Sequence, residues 1–194
     1  TSAAALGRTL IVGSMMGSML KSEQEQLTIT INGGGPIGTI MVDAYSNGNV
    51  RGFVSDPHIL LQYNDSGKLA VGTAVGNQGT LSVIKDLHMK ENWKGTVALQ
   101  SGEIGDDFAY YFTASEQTPS AVSVGVLVDT DNSVIAAGGF IIQMMPNATE
   151  EDIVASEQLL ARLVPISQMI QENEHLEDIL HTFYDDVHIL NIQP

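Results

Sequence analysis

The sequence predicts an α+β protein: a β-rich core of largely antiparallel sheets packed on helices, followed by a helical linker. Three observations predict it. The stretch 120–146 holds two apolar runs about the polar turn Asp129-Thr130-Asp131-Asn132-Ser133, and it stops at Pro146. Several shorter runs alternate apolar and polar residues between turns rich in glycine and asparagine, which is the pattern of strands joined by hairpins. Beyond Pro146 the apolar period changes from two residues to that of a helix.

The first element is a helix over 2–21, capped by Thr1 or Ser2, with Leu6, Leu10, Met16 and Leu20 at helical spacing. Ala3, Ala4, Ala5, Gly7, Gly13, Ser14, Gly17 and Ser18 fill the gaps between them. Small residues on several faces let other backbones come close, so this helix is expected to lie buried against a sheet. Met15, Met16 and Met19 read as gap-filling core. Strands follow over 27–31 and 39–43, separated by the glycine loop Gly33 to Gly38. Ser46-Asn47-Gly48-Asn49 signals a hairpin with a type I′ turn, and the return strand over 50–54 is broken by Asp56-Pro57.

Residues 72–79 read as irregular and 80–85 and 95–100 as strands, with Trp93 in the connection between them. A helix over 101–117 places Glu103, Asp106 and Asp107 in its first turns, where the helix dipole favours acids, and Ile104, Phe108, Tyr111 and Phe112 on its apolar stripe. In the hairpin that follows, Val122, Val124, Val126 and Val128 alternate with smaller residues. The run from Val134 to Met145 is apolar almost throughout and is expected to be covered on both faces. Thr149 and Asp152 then form a near capping box. Ile153, Leu159, Leu160 and Leu163 give the next helical face, which Pro165 interrupts. Ile166, Met169 and Ile170 continue the stripe, and Leu176, Ile179, Leu180 and Phe183 resume it. The expected organisation is a core over 1–147, a linker over 148–187, and the start of a further domain over 188–194. With Thr1 already inside a helix and 191–194 entering a strand-like run, the reading is of a fragment missing residues at both ends.

A chain of 194 residues can bury a sizeable core. Its 23 acidic residues against 8 basic ones give a net charge of -15, which argues against phosphate backbones and anionic membrane surfaces as partners. The absence of cysteine rules out disulfides and thiolate metal sites within these residues. No apolar run reaches transmembrane length and no signal peptide is visible.

The motifs that carry chemistry are weak. Gly33, Gly35 and Gly38 match a dinucleotide fingerprint, but Pro36 lies inside it and a strand follows where a helix should. A small-molecule or nucleotide-binding enzyme using the Gly33–Gly38 loop is therefore the alternative reading, and a glycine-rich turn is favoured over it. Gly67-Lys68 lacks the rest of a P-loop, and Glu172-x-x-His175 supplies one half of a carboxylate di-metal site without the other. His58, His88, His181 and His188 are scattered, and no Gly-x-Ser-x-Gly elbow is present. Asp106 and Asp107 are adjacent and diverge on a helix, so they read as favourable charges near its start. Asn64 and Asn147 head glycosylation patterns that serve better as turn and cap residues.

Six stretches in order carry a resemblance: TSAAALGRTL at 1–10, GGGPIG at 33–38, GTLSVIKDL at 79–87, SGEIGDDFAYYF at 101–112, Ser115-Glu116-Gln117, and AGGFIIQMMP at 137–146. Together they resemble the 33-kDa heat-shock chaperone family of bacteria, through essentially the whole chain. The resemblance implies an ATP-independent, redox-regulated holdase of the cytoplasm that binds unfolding proteins under heat or oxidative stress and catalyses nothing. It further implies a homodimer formed by exchange of helices, with no nucleic-acid or membrane partner. The family also carries a zinc domain of four cysteines whose oxidation releases zinc and unfolds the adjoining linker; those cysteines are absent here, so no cofactor or metal ligand is assigned to this chain. The linker's apolar stripe is the expected client-binding or dimer surface: Met169, Ile170, Leu176, Ile179, Leu180 and Phe183, docked on the core when inactive.

Overall fold

A computed structural model describes residues 1–61, 69–152, 154–155, 158, 166–172, 178–179 and 181. Its elements are α1 (Ser2–Ser18), β1 (Gln26–Asn32), β2 (Ile40–Tyr45), β3 (Val50–Val54), α2 (Val71–Val75), β4 (Thr80–Asp86), β5 (Trp93–Ala98), α3 (Gly105–Ala114), β6 (Ser120–Val128), β7 (Val134–Gln143) and α4 (Ile166–Gln171). Five strands form an antiparallel sheet in the order β3-β2-β1-β4-β5, and β6 and β7 pair as a separate hairpin. The α+β class is as the alternation predicts.

Alternation puts one face of the large sheet inside. Leu27, Ile29 and Ile31 of β1, Ile40, Val42 and Ala44 of β2, and Leu81 and Val83 of β4 are all buried, and Ile29 sits in register between Val42 and Val83. Helix α1 lies between this sheet and the hairpin, which its small residues permit. A Cβ on Gly13 would come 2.9 Å from Val42 Cγ1, one on Gly17 2.4 Å from the Tyr45 carbonyl oxygen, and one on Gly7 2.9 Å from Val126 Cγ2. The expectation of a buried helix against a sheet is met, with a second sheet on the other side. Met16 is buried and Met15 packs on the core, whereas Met19 is largely exposed.

Several local expectations are corrected. The Thr1 hydroxyl does not cap α1; it accepts from the Leu61 N–H at 3.0 Å, while Ser2 Oγ donates to the Asp56 carbonyl at 2.9 Å. The β2–β3 turn is not type I′, because only Gly48 has positive φ (79°); it is a tight turn closed by Gly48 N–H to the Tyr45 carbonyl, followed by a left-handed glycine. Residues 71–75 form a short helix where irregular chain is predicted, since Val71, Ala74 and Val75 share one buried face. Trp93 opens β5 rather than lying in the loop, with its ring over Gly95 and 5.0 Å from Lys85 Nζ. Helix α3 starts only at Gly105, so Glu103 precedes it. Glu103 Oε2 takes Arg8 Nη1 at 2.8 Å and Oε1 takes the Gly72 N–H at 2.9 Å, tying α1, α2 and the approach to α3 together. The far end of β7 is also less covered than predicted: Val134 and Ile135 beside the turn are about half exposed.

The aromatic stripe of α3 lies in the core, with Phe108, Tyr111 and Phe112 buried and the Tyr111–Phe112 rings edge to face at 5.7 Å. The Tyr111 hydroxyl donates to Glu116 Oε1 at 2.9 Å, and the same oxygen takes Lys85 Nζ at 2.5 Å. Burial first, and then the neighbouring Glu116 charge, hold the Tyr111 ionisation far above the ordinary tyrosine range. The unfolded tyrosine ionises near about 10. Folding stability is therefore complete below that pH and declines as pH rises above it, because the unfolded state then releases a proton the folded state retains. Tyr111→Phe is expected to flatten the fall in urea midpoint between about pH 9 and about pH 11. An unchanged alkaline fall would remove Tyr111 as its source.

Candidate functional site

Among the described residues, the hairpin β6–β7 carries helices against both faces, α1 on one and α4 on the other. On its inner face Val122, Val124, Val126 and Val128 pack with Ile141 on the main core. A Cβ on Gly139 of this face would lie 2.9 Å from Ile11 Cγ2 of α1. One residue on, the pairing places Gly125 directly opposite Gly138 on the outer face, between the pairs Ser123–Phe140 and Leu127–Ala136. The outer face is thus bare for one register and walled by Phe140.

Helix α4 sits on this bare register. A Cβ added at Gly138 would come 2.1 Å from Ile170 Cδ1, and one at Gly125 would come 2.8 Å from Ser167 Oγ and 3.1 Å from the Ser167 backbone nitrogen. Ile166, Met169 and Ile179 are buried there at 5%, 7% and 3% exposure, with Phe140 and Ile170 packed against them. Within α4, burying Ile166 and Met169 stabilises docking by roughly 1.5–3 kcal/mol each, and the partly buried Ile170 adds less. Fixing each of its six residues costs about 1–2 kcal/mol. Burial does not exceed the ordering cost, so α4 docks marginally, unlike α1, whose contacts run through the whole core.

Of the predicted surface, the structure brings together Met169, Ile170 and Ile179, and Leu176, Leu180 and Phe183 lie outside the described residues. Sequence reasoning overlooked Gly125, Gly138, Phe140 and Ser167. The available signal was a glycine pair, Gly138-Gly139, inside an apolar strand, because strand glycines mark close approach of another backbone. Upstream of α4 the predicted cap is present: the Thr149 N–H and hydroxyl each lie 2.8 Å from Asp152 Oδ2, and the Asp152 N–H returns to Thr149 Oγ1. Those bonds hold the Asp152 carboxyl below its ordinary range.

The glycine loop offers nothing to a nucleotide. Its N–H groups are spent within the chain, Gly35 on the Val75 carbonyl at 2.9 Å and Ile37 on the Ala74 carbonyl at 3.1 Å. The space beside Gly33 and Gly35 is filled by the backbone of Ala74, Val75 and Gly76. The enzyme alternative built on this loop has no support. Asp106 and Asp107 are likewise not a catalytic pair: Asp106 accepts from Ser101 Oγ at the surface, and Asp107 is fully buried among backbone N–H groups. Among the described residues no group of three His, Cys, Asp or Glu is placed to hold a metal, and no helix is long and apolar enough to cross a membrane. The zinc site implied by the resemblance needs cysteines, and these 194 residues have none.

An α+β sandwich with a marginally docked apolar helix over a bare sheet face defines a scaffold with a coverable apolar surface. The family described as Hsp33 protein matches residues 1–194, and the chain belongs to the Hsp33 family. It is 53% identical over 181 residues to the 33 kDa chaperonin of Bacillus mycoides, covering 93% of this chain and 62% of that protein. It is 48% identical over 196 residues to the 33 kDa chaperonin of Halalkalibacterium halodurans, covering 100% and 67%. The crystal structure of the 33 kDa chaperonin from Thermotoga maritima superposes with a TM-score of 0.88 at 38% identity, covering 97% of this chain and 64% of that one. The chain thus spans roughly three fifths of the length of the curated relatives it matches, 62% for the Bacillus mycoides protein.

Proposed function

We propose that these residues form the client-binding part of an ATP-independent holdase chaperone of the cytoplasm, which binds unfolding proteins and catalyses no reaction. Residues 1–147 are its core, 148–187 its linker, and 188–194 lead into the cysteine-bearing domain that the resemblance implies. The observation that carries the reading is the balance at α4: apolar side chains cover an apolar sheet face with little net free energy, so the cover is removable. Uncovering exposes both the hairpin face and the stripe of Met169, Ile170 and Ile179. The same exchangeable contact suits a homodimer in which each copy's linker seats on its partner's hairpin.

The chain is expected to suppress aggregation of a heat-unfolded test protein, followed by light scattering with reductant present throughout. Ile170→Asp is expected to lower the amount needed severalfold, because a carboxylate in this packing costs more than the docking supplies. A folded chain without suppression, before and after Ile170→Asp, would overturn the proposal.

A further inference from the structure

We infer that the bare register at Gly125 and Gly138 is itself a recognition subsite: with α4 gone, it takes an aliphatic side chain of an amphipathic client helix where Ile170 now sits, beside a small residue where Ser167 now sits. The inference rests on the holdase reading and names what the uncovered face selects.

The backbone conformation of the hairpin does not require these glycines. Neither Gly125 nor Gly138 has positive φ, so their backbone is extended and open to any residue. The tightest crowding they relieve comes from the helix: the three atoms nearest an added Cβ belong to Ser167 at one position, and to Ile170 and Ile166 at the other, all in α4. Glycine in a strand interior forfeits packing and adds backbone entropy to the unfolded chain. The bare register therefore exists for what lies on it, and what lies on it is a helix.

The shape of that fit defines the occupant. The Ile170 side chain reaches the floor of the hole, with Cδ1 2.1 Å from the place a Gly138 Cβ would take. Three residues earlier, Ser167 brings its own backbone nitrogen to 3.1 Å from the corresponding place at Gly125, a distance at which only a small side chain leaves room. Ile166 and Met169 flank the pair and are buried beside it. An aliphatic residue, a small residue next to it, and a second aliphatic residue three positions further on is a pattern that a helix presents on one stripe. Laying such a stripe into an apolar groove is a recurrent mode of peptide recognition. The seat thus selects helical clients with this spacing over apolar segments in general.

The probe is a fluorescein-labelled helical peptide with Ile-Ser-Gln-Met-Ile at its centre, alongside one with leucine in place of the serine. Binding is read by anisotropy on the full chain carrying Ile170→Asp, which opens the seat, and on the same chain also carrying Gly125→Val or Gly138→Val, which fills it. The open chain is expected to bind the serine probe at least about tenfold tighter than either filled chain, and about tenfold tighter than it binds the leucine probe. Equal binding by open and filled chains, or no preference between probes, would overturn the inference. The atoms nearest a Cβ at position 138 all belong to α4, which Ile170→Asp withdraws, so that variant keeps the comparison valid if Gly125→Val misfolds. Aggregation suppression by the open chain without probe binding would sink the subsite and leave the holdase reading standing. Probe binding without suppression would do the reverse.

Discussion

Asp107→Ala is expected to remove on the order of 4 kcal/mol from the unfolding free energy, a large part of the roughly 5–15 kcal/mol that holds a domain together. The carboxylate is fully buried at the start of α3 and gathers the loop that precedes it. Oδ1 accepts the N–H groups of Gln100 at 2.7 Å, Ser101 at 3.0 Å and Gly102 at 3.3 Å, and Oδ2 accepts that of Ile104 at 3.0 Å. The bonds to Gly102 and Ile104 are buried and the others partly so, so alanine leaves two donors without water and two with some. Each fully buried orphan costs about 1–3 kcal/mol. Ile104 adds to the demand, since its φ of 73° is an outlier for a β-branched residue and persists only while its N–H is held and its side chain buried. Asp107→Asn keeps an acceptor for the first three N–H groups and turns an amide donor toward Ile104, so its loss should be intermediate. Urea unfolding measures both. A cost below about 1 kcal/mol for alanine would show that water, not this carboxylate, satisfies the loop.

The second large effect separates two glycines one residue apart. Gly34 has φ of +77° and open space about it, so Gly34→Ala should cost about 1–2 kcal/mol for the left-handed backbone alone. Gly33 has ordinary φ, but its Cβ would lie 2.1 Å from the Gly76 carbonyl oxygen and 2.5 Å from that of Val75. These are main-chain atoms pinned by Gly35 N–H to the Val75 carbonyl and by Gln78 N–H to the Gly33 carbonyl. Gly33→Ala must separate two backbones and should cost about 3 kcal/mol or more. Comparable thermal midpoints for the two variants would mean the loop has slack, and with it room for a ligand that the packing here denies.

Sequence reasoning reached the strands and the capped linker because their signals are local. Alternation in β1, β2 and β4, the Asn-Gly turn after β2, and the Thr149–Asp152 pair each act within a few residues. The family was legible for a similar reason, since its stretches keep their order along the chain. Asp107 was placed correctly near the start of a helix but given the wrong task, because a carboxylate near a helix start looks the same whether it faces solvent or collects a loop folded back over it. Ser167 and Phe140 were not singled out, since neither carries a pattern until the hairpin and α4 are brought together.

The chain by itself determined most of its strands, the absence of cysteine within these residues, and an apolar stripe in the linker needing a surface to cover. Only the tertiary structure decided where that stripe sits and what each glycine is for. A missing side chain leaves the same letter in the sequence whether it frees a torsion angle, as at Gly48, lets two backbones meet, as at Gly33 and Gly76, or leaves a hole for an isoleucine thirty-two residues away, as at Gly138 beneath Ile170. Those cases differ only in which atoms arrive from elsewhere in the chain, and that is fixed by packing.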